Sequence, residues 1–207
     1  MKSQAETNLI EFLTNSENLP FAVEILRLGD EIRKPVLARF WNDLRDRLES
    51  SPNRPSGVAS SMQLRFFPDD RMTHPLDTDL RYFDEALAEK EDQFLSYFIE
   101  MDRGKRWFTM DYGISWNEEM PSKSSRLQKM KPVVELRELL EGMEFKEGET
   151  AIGWKGLHEY DHVDGFLADI VKDSEGLLRE IVDRFWLLVK KTISKVEKAN
   201  QAIVGRE

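Results

Sequence analysis

Two runs of alternating residues flank one short polar turn, and no other pattern in the chain limits the fold as tightly. Leu95, Tyr97, Ile99 and Met101 take every second position before Arg103-Gly104, and Phe108, Met110, Tyr112, Ile114 and Trp116 do so after it. A period of two belongs to a strand, because successive side chains leave a strand on opposite faces. A turn centred on Arg103-Gly104 pairs Ile99 with Phe108, Tyr97 with Met110 and Leu95 with Tyr112, all on one apolar face. The other face carries Phe94, Phe98, Glu100, Trp107 and Asp111, which is less polar than a plain solvent face. A helix usually covers such a surface, but it could also stack bases or bind a protein.

The flanking sequence supplies helices and two further strands. Met62 to Phe67 and Thr150 to Lys155 read as strands. Leu9 to Leu13 and Phe21 to Leu28 read as short helices, the second closed by Gly29. Lys34 to Glu49 reads as a longer one opened by Pro35, with Leu37, Phe40, Trp41, Leu44 and Leu48 on one side. Leu80, Phe83 and Leu87 fit a helix with a charged outer face. Pro132 opens a helix that Gly142 stops. A helix from about Asp161 to Val171 precedes a long one from about Ser174 to Ile203, striped by Leu178, Ile181, Phe185, Val189 and Val196. Arg39-Phe40-Trp41 recurs as Arg184-Phe185-Trp186, as expected of two aromatic-rich helices packing on one sheet.

The expected fold class is therefore α+β: an antiparallel sheet built on a central β-hairpin, covered by amphipathic helices including a long C-terminal one. A chain of 207 residues suits a single domain. The run Ser50-Ser51-Pro52-Asn53-Arg54-Pro55-Ser56-Gly57 breaks it, so a helical N-terminal subdomain, 1–50, joined by loop 51–60 is compatible with the pattern.

Charge narrows the function classes. The net charge is −9, and the stretch from Asp69 to Asp102 holds 11 acidic and 3 basic residues, so it accounts for nearly all of the excess. A pan-basic nucleic-acid footprint is absent, and direct nucleic-acid binding is not expected. Asp77, Asp79 and Asp84 are the candidate contacts of this acidic segment, which would imitate nucleic-acid phosphates or dock on a basic partner, and Phe98 and Trp107 are those of the hairpin. The competing reading is an exposed, solvated run of charge. There are no cysteines, which removes disulfides, thiol catalysis and thiolate zinc sites. The first residues lack the apolar stretch of a signal peptide, and no apolar run is long enough for a bilayer, so the chain reads as cytoplasmic, without a membrane partner.

His158-Glu159-Tyr160-Asp161-His162 spells H-E-x-x-H. On a helix this places His158 and His162 on one face to share zinc, with Glu159 as general base and Glu175 or Glu180 as third ligand. A small zinc hydrolase is the alternative function on that basis. Gly153, Gly156 and Gly165 surround the motif, however, and Asp161 suits an N-cap, which leaves His158 outside the helix. Ala168 stands where a third histidine would complete a metzincin pattern. Two weaker assemblies are Pro68-Asp69 with Glu144-Phe145-Lys146, as in a PD-(D/E)xK nuclease site, and Asp69, Asp70, Asp77, Asp79 and His74 as an oxygen-rich cation site. The first is more often a loop acid and a surface pair, and the second lacks EF-hand spacing. No P-loop, dinucleotide or Gly-x-Ser-x-Gly motif occurs.

Arg39-Phe40-Trp41-Asn42-Asp43-Leu44, the aromatic hairpin, Gly153-Trp154-Lys155 and the long C-terminal helix together resemble the non-catalytic region that follows the catalytic domain in some bacterial PD-(D/E)xK-type nuclease proteins. The resemblance spans most of the chain by order and texture, with no diagnostic motif, and it transfers no catalytic residue. It implies a non-catalytic module near nucleic-acid or defence machinery. The leading expectation is a non-enzymatic interaction or accessory protein without a cofactor; zinc belongs to the alternative alone.

Overall fold

The computed structural model describes residues 8, 11–12, 15–55, 62–67, 79–89, 94–103, 108–117, 125–161 and 163–205, excluding the side chains of 19–32, 66–67, 79, 86–87, 102–103 and 163. The alternating runs form the middle of a five-stranded antiparallel sheet in the order β1 (Met62–Phe67), β2 (Asp79–Asp84), β3 (Leu95–Arg103), β4 (Phe108–Trp116) and β5 (Ala151–Tyr160). Among the described residues the helices with full bounds are α1 (Leu19–Ser50), α2 (Glu85–Ala88), α3 (Lys131–Gly142) and α4 (Val163–Val204). The fold is α+β, as the pattern requires.

The hairpin keeps its expected faces but changes its register. Leu95 pairs with Trp116, Tyr97 with Ile114, Ile99 with Tyr112 and Arg103 with Phe108. Each β4 partner lies four positions beyond the one a two-residue turn dictates. An even displacement returns every side chain to its own face, so burial tolerates it, whereas an odd one would turn the face inside out. Gly104 and Trp107, between the strands, lie outside the described residues.

Three local expectations are corrected by packing. The segment read as a helix around Leu80 forms β2, which pairs with both β1 and β3 and buries Leu80 and Tyr82 completely. Only Glu85–Ala88 is helical there. The second and third expected helices are one continuous helix, α1, running through Gly29 and with Pro35 inside it. Those two residues cost roughly 1 and 3 kcal/mol in a helix interior. Burial of Leu37, Phe40, Trp41, Leu44 and Leu48 works against that cost. Of the first expected helix, Leu9, Ile10 and Leu13 lie outside the described residues. The strand expected over Thr150 to Lys155 continues to Tyr160, through two register shifts against β4.

The break expected after Val171 is present. At Asp173 (φ −155°, ψ 67°) the backbone leaves the helical region, and α4 resumes beyond this kink. The Asp173 carboxylate accepts the Gly176 N–H at 2.9 Å, capping the second segment. That segment crosses one face of the sheet, the inner face. Tyr82 meets Trp186 edge-on at 5.1 Å, and Tyr97 meets Phe185 at 6.2 Å. Phe166 lies 5.1 Å from both Phe40 and Phe108, tying α1 to the sheet. Burying a large apolar side chain of this kind stabilises by about 1.5–3 kcal/mol. Arg33 and Arg47 of α1 pair with Asp164 and Glu175 of α4 at the rim of this core.

At one end the sheet is completed by a side chain. The β2–β3 pairing ends at Tyr82 and Tyr97. Beyond it, Asn200 of α4 accepts the Leu95 N–H at 2.8 Å and donates to the Leu95 carbonyl at 3.0 Å. The amide thus stands where another strand residue would, and leaves no buried backbone group of Leu95 unmet.

Candidate functional site

The face of the sheet opposite α4 is built by direct cross-strand opposition. Arg81, Phe98, Gly113 and Trp154 lie opposite one another on β2, β3, β4 and β5. Gly113 is required by close approach: a Cβ there would stand 2.2 Å from the Gly153 carbonyl oxygen and 3.0 Å from the Phe98 ring. The Arg81 guanidinium sits 5.3 Å from the Phe98 centroid and donates to Ser115 Oγ. Lys146 places its ammonium 5.2 Å from the Trp154 centroid. Two rings of this face therefore already carry cations from the same chain.

The neighbouring row is acidic. Glu100, Asp111 and Gly156 oppose one another on β3, β4 and β5. Asp111 is only 6% exposed and accepts the Thr109 hydroxyl at 3.0 Å. A Cβ on Gly156 would lie 3.6 Å from Asp111 Oδ1 and 3.6 Å from Glu159 Oε1, so both carboxylates stand over one glycine. Glu149, in the turn before β5, completes the group. Phe98, Glu100, Thr109, Asp111, Glu149 and Trp154 line a cavity of about 240 Å³. Carboxylates in a half-enclosed site of low polarisability attract a cation more strongly than they would in open water.

The residues singled out from sequence are distributed unevenly over this geometry. Phe98 is part of the cavity. Asp84 lies elsewhere, lining a second cavity with Leu95 and Asn200. Asp77 and Trp107 lie outside the described residues, and of Asp79 only the backbone is described, opposite Phe67 and Glu100. Trp154, Glu149 and Glu159 were not identified from sequence as members of a shared surface. The available signal was the alternation in Gly153-Trp154-Lys155, but only the pairing of β5 with β4 shows which face Trp154 joins.

The helical H-E-x-x-H geometry is not formed. His158 and Glu159 are on β5, so they project to opposite faces, and α4 begins only at Val163. His158 faces α4, with Nε2 3.8 Å from the Glu180 carboxylate and its ring stacked on Tyr160 at 6.1 Å. Glu159 is exposed on the acidic face, and His162 lies outside the described residues. Glu175 is drawn away to Arg47, and Glu180 also holds Arg184 at 2.5 Å. Among the described residues no group of three or more His, Asp or Glu is placed to hold a metal ion. Burial, followed by the bond it donates to Asp169, pushes the Tyr160 phenol well above its ordinary range, so it serves as a neutral donor.

The suggested nuclease pair is separated as well. Glu144 follows α3 with φ 65° and pairs with Lys155 at 3.1 Å, while Lys146 turns to Trp154. Pro68 and Asp69, like Asp70 and His74, lie outside the described residues. Among the described residues no helix is long and apolar enough to cross a membrane. No family model, curated protein or solved structure matches the chain.

Proposed function

We propose that this chain is a non-enzymatic interaction module that receives a basic segment of a protein partner on the outer face of its sheet. A lysine or arginine side chain enters the cavity, its charge meeting Glu100, Asp111 and Glu149 and its alkyl or guanidinium surface lying against Trp154. The observation that carries this reading is the meeting of three carboxylates and two rings in one recess. The positions of Arg81 and Lys146 over the same two rings support it, because they illustrate the chemistry a partner's cation would use. The acidic stretch to which Glu100 belongs extends the attraction outward and steers a basic segment toward the sheet.

The test is calorimetric titration with a lysine- and arginine-rich decapeptide and with its glutamate-substituted counterpart, at low and high salt. The basic peptide should bind, weaken as salt rises, and lose about ten-fold or more in affinity against a Glu100→Gln, Glu149→Gln double variant, since close charge pairs at interfaces couple by about 1.5 kcal/mol or more. Equal binding by wild type and double variant would remove the cavity from the interface.

A further inference from the structure

On the α4 side of the sheet, away from the acidic recess, a cleft of about 620 Å³ opens between the 51–55 turn and α4. Its wall includes Trp186, which is 1% exposed and whose Nε1–H is buried without a hydrogen-bond partner among the described residues. An indole N–H can only donate, so the group that would satisfy it is an acceptor. Two cations stand at the rim. Arg54 lies 5.9 Å from the Tyr82 centroid, close enough to act on its phenol, and donates to the Met62 carbonyl oxygen at 3.4 Å. Lys190 is exposed and has no ion pair among the described residues. The carboxylate in the lining, Asp183, is exposed and accepts the Asn53 amide at 2.9 Å. Between these groups Leu187 is 51% exposed, and Ile193 continues the apolar strip.

We infer that this cleft binds a small carboxylic acid with an apolar tail. The carboxylate accepts the Trp186 N–H and is held by Arg54 and Lys190, while the tail lies along Leu187 and Ile193. The volume falls within the range of small-molecule sites, about 300–1,000 Å³. The polarity of the site argues against an amine: the buried orphan is a donor, and two of the three charges in the lining are positive. The inference is independent of the basic-segment reading, because the two sites share no residue.

Decanoate, decylamine and acetate are suitable probes of head group and tail. Decanoate should bind to the full chain measurably by calorimetry, with decylamine and acetate at least ten-fold weaker. Arg54→Gln and Lys190→Gln should each weaken decanoate by about ten-fold, the loss expected for one charge-assisted contact. In a proton–nitrogen correlation spectrum the chain's five tryptophans give five indole signals. Decanoate should move that of Trp186 downfield, its assignment coming from Trp186→Phe or, if that variant does not fold, from backbone-linked assignment of the wild type. Equal affinity for decylamine, no binding of decanoate, indifference to both cation variants, or a response confined to another indole would each overturn the proposal.

Discussion

On the inner face of the sheet, Tyr82, Tyr97 and Ile99 are completely buried in one core with Phe185, Trp186 and Val189. On the outer face the same strands carry Arg81, Glu100 and Asp111 beside Phe98, and Phe98 is itself only 2% exposed. Both faces bury aromatic rings, but by different means. The inner face does so with apolar volume, where each ring gains transfer energy and the phenol of Tyr97 is met by Thr192 at 3.0 Å. The outer face does so with charges laid over rings, which gains little for folding because removing charges from water costs about as much as their pairing returns. Stability alone therefore accounts for the inner face and leaves the outer one underexplained, and the acidic recess is where binding is proposed.

The contrast can be broken most severely from the inner side. Phe185→Ala should destabilise by about 3–5 kcal/mol in urea unfolding, through lost burial and the cavity left behind. Asn200→Ala should cost about 2–3 kcal/mol, because it strands both backbone groups of Leu95, each worth about 1–3 kcal/mol when buried and unmet. The outer face should respond more weakly. Arg81→Met, which removes the cation over Phe98 and the bond to Ser115, should cost about 1 kcal/mol in the same assay. Glu100→Gln with Glu149→Gln should leave stability within about 0.5 kcal/mol of wild type while binding of the basic peptide falls. A matching loss of stability would make these carboxylates part of the scaffold and erase the distinction. Away from both faces, Glu144→Gly should raise stability by up to about 1 kcal/mol, since glycine accepts the φ of 65° without a Cβ penalty.

The alternation from Leu95 to Trp116 was legible because a strand side chain has only two directions to choose between. The long helix was legible for a similar reason, since an apolar stripe is a local signal, and the break before Ser174 was read in its place. The segment around Leu80 was misread because its few apolar positions fit both periods, and only the backbone bonds offered by β1 and β3 decide for a strand. Pro35 marks a local helix start, but the helix runs through it. The hairpin register escaped for a different reason: every even displacement preserves the faces, so side-chain pattern alone cannot distinguish among them.

The candidate site was half legible. Phe98, Glu100 and Asp111 share a face by parity alone. Trp154, Glu149 and Glu159 join them only because β5 pairs with β4, through bulges that no local pattern encodes. Parity likewise decided the fate of the histidine motif: once His158 and Glu159 became neighbours on a strand, they faced opposite sides. What the sequence determined by itself was which side chains share a face, because that depends on a local period. Which faces meet, and so which acids and rings surround one cavity, was decided only by the tertiary structure, because strand pairing depends on contacts between residues far apart in the chain.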